Sequence, residues 1–82
     1  MDDNWLDGNG VAGLLQEVFG DDMTEVERRC RGCGEMHAVG AHRAYIGAGL
    51  VLRCPGCADL AATIVRTNER HVVQLSGAWM MR

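Results

Sequence analysis

Cys30-Arg31-Gly32-Cys33 and Cys54-Pro55-Gly56-Cys57 hold every cysteine of the chain in two C-x-x-C pairs, separated by residues 34–53. Two such pairs with roughly 15–20 residues between them have the spacing of a tetrahedral four-sulfur metal site. The reason is geometric. A tight turn aims both sulfurs of a pair at one point, and two turns brought face to face complete a tetrahedron. The spacing therefore predicts one ion per chain, held by Cys30, Cys33, Cys54 and Cys57. Four sulfurs leave no coordination position for water or substrate, which argues for a structural metal and against hydrolytic chemistry.

The residues inside the turns agree with this chemistry. Gly32 and Gly34 flank Cys33, and Pro55-Gly56 fills the second pair. Glycine lets the backbone wrap so that amide N–H groups face the sulfurs, and proline sets one turn dihedral in advance. Amide donors favour thiolate over thiol, the form a metal needs.

Competing chemistries fit less well. His37 and His42 could join Cys30 and Cys33 in a Cys₂His₂ set, but the gap from Cys33 to His37 is far shorter than the roughly 12 residues of a finger. That set would also strand Cys54 and Cys57. Both histidines read as ordinary strand residues at the surface or beside the metal, and His71 as a partly exposed strand residue. Cys54-Pro55-Gly56-Cys57 alone could be a redox dithiol, yet the chain is too short for a thioredoxin fold. The carboxylates form no catalytic pair, and Gly8 and Gly10 lack the strand and third glycine of a phosphate loop.

The elements that must position the turns are set by hydrophobic spacing. Val11, Leu14, Leu15, Val18 and Phe19 form the stripe of an amphipathic helix over about residues 7–20, with Asp7 or Asn9 as N-cap and Gly20 as stop. Trp5 and Leu6 are placed to pack back on that stripe. Residues 23–76 read as a β ribbon carrying the two turns: Thr24 to Arg29, Glu35 to Val39, Ala41 to Ile46, Leu50 to Arg53, then a hairpin of Ala61 to Thr67 and His71 to Ser76. Residues 77–82 form an apolar tail with Trp79, Met80 and Met81. The expected class is a small metal-bound antiparallel β sheet with an N-terminal amphipathic helix, α+β, in one domain over residues 1–82.

Composition sets the frame. At 82 residues, 48% hydrophobic and 23% charged, the chain is globular but near the size where a core alone supplies only about 3–5 kcal/mol and a staple is needed. No apolar run approaches the roughly 20 residues of a membrane span, and no export signal is visible, so a cytoplasmic protein with reduced thiols is expected. All eight basic residues are Arg, a bias expected of a GC-rich, bacterial genome. Six acids and no base lie in residues 1–23. The overall charge of −3 disfavours nucleic acid as partner, although Arg28, Arg29, Arg31, Arg43, Arg53, Arg66 and Arg70 could form a basic face. Arg29, Arg31 and Arg53 adjoin the cysteines and are placed to offset a thiolate cluster.

Cys30-Arg31-Gly32-Cys33-Gly34 and Cys54-Pro55-Gly56-Cys57 look like the paired knuckles of zinc-ribbon, rubredoxin-like domains. The chain also resembles a family of small bacterial zinc-ribbon proteins of unknown function. The resemblance rests on Asp7-Gly8-Asn9, Glu17-Val18-Phe19, Leu52 through Cys57 and Arg66-Thr67, and spans most of the chain. It implies the fold and the metal, and a role that depends on a partner, beside redox enzymes; the closed site adds the expectation that the role is non-enzymatic. The helix stripe and the Trp79-Met80-Met81 tail are the candidate contact surfaces, and a homodimer is one way to use them. Rubredoxins hold iron in the same double-knuckle frame for electron transfer, with a longer stretch between the pairs and more aromatics around the site. Trp5, Phe19, Tyr45 and Trp79 are spread over both ends of this chain, so zinc is expected ahead of iron.

Changing any one of Cys30, Cys33, Cys54 or Cys57 to Ser should leave a chain that does not fold at ordinary zinc concentrations, because metal binding and folding are coupled. Arg31→Ser should cost far less. Native dispersion in the NMR spectrum of a metal-free cysteine variant would contradict this.

Overall fold

The computed structural model describes residues 6–80 and builds two antiparallel sheets around one short helix. Strands β1 (Leu6–Asp7), β4 (Arg43–Ile46), β5 (Gly49–Arg53), β6 (Leu60–Arg66) and β7 (His71–Leu75) form a five-stranded sheet in the order β1-β4-β5-β6-β7. Strands β2 (Glu27–Arg29), β3 (Met36–Ala38) and β8 (Ala78–Trp79) form a three-stranded sheet in the order β3-β2-β8. Helix α1 spans Ala12–Phe19.

The helix is shorter than the spacing predicts. Asp7 does cap, its side chain accepting from the Gly10 amide at 2.9 Å, but the turn it caps is a 3₁₀ turn, Gly8–Val11. Gly8 is pressed against the Val39 carbonyl, where a Cβ would collide. This backbone-to-backbone approach to a second 3₁₀ turn, Val39–Ala41, fixes the entry to the helix. The end is as expected: Gly20 closes α1 at φ +79° and donates to the Gln16 carbonyl at 2.7 Å.

The apolar stripe is buried, as its period requires. Leu15 is fully enclosed and Val11 nearly so, while Leu14, Val18 and Phe19 are partly covered. They share one core with Ala44, Leu50, Leu52, Ala62 and Ile64. Those five are in register across the sheet: Ala44 pairs with Leu52, Leu52 with Ala62, and Leu50 with Ile64. Alternation thus puts one face of the five-stranded sheet on the core. The β6–β7 hairpin pairs Ile64 with Val73 and Val65 with Val72, and Thr67 and Arg70 close its turn through three hydrogen bonds.

The apolar tail is a strand. β8 pairs with β2, Arg28 opposite Trp79 and Arg29 opposite Ala78, and the ladder continues with Met80 N–H to the Glu27 carbonyl at 2.8 Å. Trp79 stacks on Phe19 at 6.4 Å between ring centroids and donates its indole N–H to the Ser76 carbonyl. Trp79 thus packs on its own chain, while the Met80 side chain stays exposed. Trp5, Met81 and Arg82 lie outside the described residues.

Candidate metal centre

Each cysteine pair sits at the tip of a hairpin, and the two hairpins belong to different sheets. The first pair joins β2 to β3 in the three-stranded sheet, and the second joins β5 to β6 in the five-stranded one. A register shift at Leu52/Arg53 leaves Arg53 opposite Leu60 and bends the second hairpin where the turn begins.

The turns are built alike. In the first, the Cys30 amide donates to the Glu35 carbonyl (2.8 Å) and the Gly34 amide to the Cys30 carbonyl (3.0 Å). In the second, the Cys54 amide donates to the Asp59 carbonyl (2.8 Å) and the Ala58 amide to the Cys54 carbonyl (2.9 Å). The Gly32 amide faces the Cys30 sulfur at 3.3 Å, and the Gly56 amide faces the Cys54 sulfur at 3.4 Å. Gly34 and Ala58 take the same left-handed conformation, at φ +79° and +66°. Arg29 donates to the Gly34 carbonyl and Arg53 to the Ala58 carbonyl, one guanidinium bracing each turn. The acids cross over: the Asp59 carboxylate fills the place a Gly32 Cβ would take, and the Glu35 carboxylate does so at Gly56.

This symmetry extends the repeat well beyond the cysteines. Arg29-Cys30-Arg31-Gly32-Cys33-Gly34-Glu35-Met36 and Arg53-Cys54-Pro55-Gly56-Cys57-Ala58-Asp59-Leu60 align as Arg-Cys-x-Gly-Cys-small-acid-apolar. The repeat is present in the chain itself, and only its flanking arginines and acids, beyond the cysteine turns, reveal its full length.

The sulfurs meet across the turns. Cys30 Sγ lies 3.6 Å from Cys57 Sγ, Cys33 Sγ lies 3.8 Å from Cys54 Sγ, and all four fall within 4.8 Å of one another. None is in a disulfide. Sulfurs about 2.3 Å from a tetrahedral ion stand about 3.8 Å apart, so the cluster has the size of a metal cage. Cys30 and Cys54 are buried, and Cys33 and Cys57 are exposed.

The sulfurs differ in acidity. The Cys33 amide, helped by the Gly32 amide and the Cys57 and Cys54 sulfurs, lowers the Cys30 thiol from 9.0 to about 6 against the effect of burial. The Asp59 amide pulls Cys57 down, but burial and the other three sulfurs outweigh it and push Cys57 up to about 12. The Glu35 amide likewise lowers Cys33, and burial with the Cys30 and Cys54 sulfurs reverses the sign, so Cys33 lies above its usual value. The raised values at Cys33 and Cys57 favour their protonated forms at neutral pH, and a bound cation would reverse that preference.

The histidines stand apart from the cage. His37 bonds Glu35 at 2.9 Å and is partly exposed. His42, expected on a strand surface or beside the metal, is instead fully buried just before β4. Burial lowers its pKa, opposed by its bond to Ala38 and reinforced by the charge of Arg28. Arg28 departs further from the sequence expectation. Its charge suggests a basic face, yet it is fully buried, because alternation along β2 points it inward while Glu27 and Arg29 point out. Among the described residues no helix is long and apolar enough to cross a membrane.

Fold and site together define a small antiparallel β protein with a four-cysteine cluster of metal-site dimensions at the joint between two sheets. Across residues 1–82 the chain matches the family described as "Family of unknown function (DUF6510)", and it belongs to that family. No curated protein and no solved structure matches it.

Metal uptake at pH 7 should displace at least two protons per ion, because Cys33 and Cys57 hold theirs in the metal-free protein while Cys30 has lost most of its own. Affinity should therefore rise with pH by at least about two log units per unit between pH 7 and 8, and more steeply below 6, where Cys30 protonates as well. A pH-stat titration with zinc checks this, and uptake without proton release would contradict it.

Proposed function

We propose that the chain is a non-enzymatic protein of the zinc-ribbon kind, in which one zinc ion staples two sheets and the surface carries the function as a protein-interaction module. The observation that supports it is the sulfur spacing: four thiols from two sheets stand at the separation of one tetrahedral ion. Such a cage has no free position for a substrate, and zinc has no redox chemistry to offer. Free thiols spaced for a metal suit a reducing compartment, the cytoplasm.

The contact surface this reading favours draws on both candidate elements, Phe19 from the helix stripe and Met80 from the tail. Most of the helix stripe packs on the core, and its end, Phe19, lines a groove of about 540 Å³ with Val26 and Met80. Asp21, Asp22, Glu25 and Glu27 line the same groove, and none forms an ion pair with a described residue. An apolar floor under four carboxylates suits a protein segment with an apolar anchor flanked by Arg or Lys, and repels nucleic acid. Arg28 is buried, and Arg29 and Arg53 are committed to the knuckles, which also weakens the nucleic-acid reading.

Native mass spectrometry of freshly purified protein should find one zinc per chain and report the subunit number. Red protein that bleaches on reduction would replace this reading with an iron electron carrier. A fluorescent peptide of alternating Arg and Leu should bind the zinc-loaded protein and lose about tenfold in affinity with the pair Glu25→Gln and Glu27→Gln. Glu69→Gln, which removes the same kind of charge elsewhere, should change little. Equal loss in both would mean that the groove is not the contact surface.

A further inference from the structure

Arg28 is a buried cation without a carboxylate. Its side chain is fully enclosed, and all three of its partners are neutral. Nε donates to the Ser76 carbonyl at 2.8 Å, Nη2 to the Leu60 carbonyl at 3.4 Å, and Nη1 faces His42 Nε2 at 3.4 Å. Guanidinium only donates, so His42 Nε2 is the acceptor there, which puts the imidazole proton on Nδ1, bonded to the Ala38 carbonyl at 2.9 Å. No described Asp or Glu pairs with it. A buried charge held only by dipoles is costly unless opposite charge lies nearby.

The neighbourhood shows where that charge would come from. Arg28 and Cys30 are two residues apart on β2 and its exit, and both are buried. Leu60, which accepts from Nη2, ends the second knuckle, and Ser76, which accepts from Nε, lines a cleft together with Cys30 and Gly77. A Cβ on Gly77 would meet both the Arg29 carbonyl and Arg28 Nη2. Arg28 thus ties β2, two residues before the first knuckle, to a carbonyl at the start of β6, just past the second knuckle, and to one just after β7. Four thiolates on a divalent ion carry a net charge of −2, and Arg29 and Arg53 face solvent, where screening weakens them.

We propose that Arg28 is the buried counter-charge of the four-sulfur centre, so that holding the metal and docking the two sheets are one event. This rests on the metal reading above and adds a residue that touches no sulfur hydrogen bond. Removing the positive charge should weaken the hold on a divalent ion, and keeping the charge while losing the fork of bonds should not.

Two variants separate charge from hydrogen bonding. Arg28→Gln keeps donors and loses the charge, while Arg28→Lys keeps the charge and loses the fork. Zinc affinity is measured by competition with a chromophoric chelator, and Co²⁺ absorption reports whether four sulfurs still bind. Arg28→Gln should weaken zinc by about tenfold, and Arg28→Lys by less than about threefold. In iron-loaded protein, Arg28→Gln should favour the ferric form by a similar factor, about 59 mV lower in potential per tenfold, with Arg28→Lys near the parent. If Arg28→Gln does not fold, Arg28→Lys decides alone: tenfold weaker zinc there would overturn the proposal, and retention would uphold it. Equal losses in both variants, or none in Arg28→Gln, would also overturn it while leaving the cage intact. Absence of metal from the parent protein would take down both readings.

Discussion

Everything in this fold converges on four sulfurs that have to share one small volume. Left to themselves they conflict, since loss of water around the sulfurs and their hydrogen bonds to one another outweigh the amide donors at Cys33 and Cys57, while amide donors prevail at Cys30. The conflict matters structurally because the sulfurs come from two different sheets. The first knuckle closes a hairpin of the three-stranded sheet, and the second closes one of the five-stranded sheet. A cation held by all four sulfurs would also bolt the sheets together. In a chain this short the core is thin, and such a joint can exceed in free energy what hydrophobic burial supplies.

The joint has a second layer made of ordinary contacts. Arg28 reaches from the small sheet to carbonyls at the start of β6 and the end of β7. The Ser76 carbonyl accepts from both Arg28 and Trp79, and Trp79 stacks on the end of α1. The helix, the terminal strand and the cage therefore brace one another. The near-twofold relation of the knuckles, with a carboxylate of each filling the glycine gap of the other, explains why glycine occupies the third position of both pairs. Any side chain there would evict Glu35 or Asp59.

Much of this was legible in the residues, in proportion to how local the cause was. The cysteine spacing, the Gly20 stop, the helix stripe and the β6–β7 hairpin depend on neighbours a few positions away, and each can be read directly; the N-terminal cap narrows only to Asp7 or Asn9, and Asp7 caps a 3₁₀ turn ahead of the helix. Division into two sheets could not be, because short strands such as Glu27–Arg29 and Met36–Ala38 carry no period long enough to say which sheet they join. The tail became a strand for the same reason: only its pairing with β2 defines it. Arg28 is easily misplaced because charge suggests exposure. Alternation with the buried Cys30 two residues later was the available signal. His42 misleads for a related reason, since nothing local shows that its two ring nitrogens find partners in Arg28 and Ala38.

X-ray absorption at the zinc edge, on protein loaded with one equivalent of the ion, tests the coordination directly. The account predicts four sulfur scatterers at about 2.3 Å and no nitrogen or oxygen bound to the ion. Coordination by imidazole or water, or by fewer than four sulfurs, would contradict it.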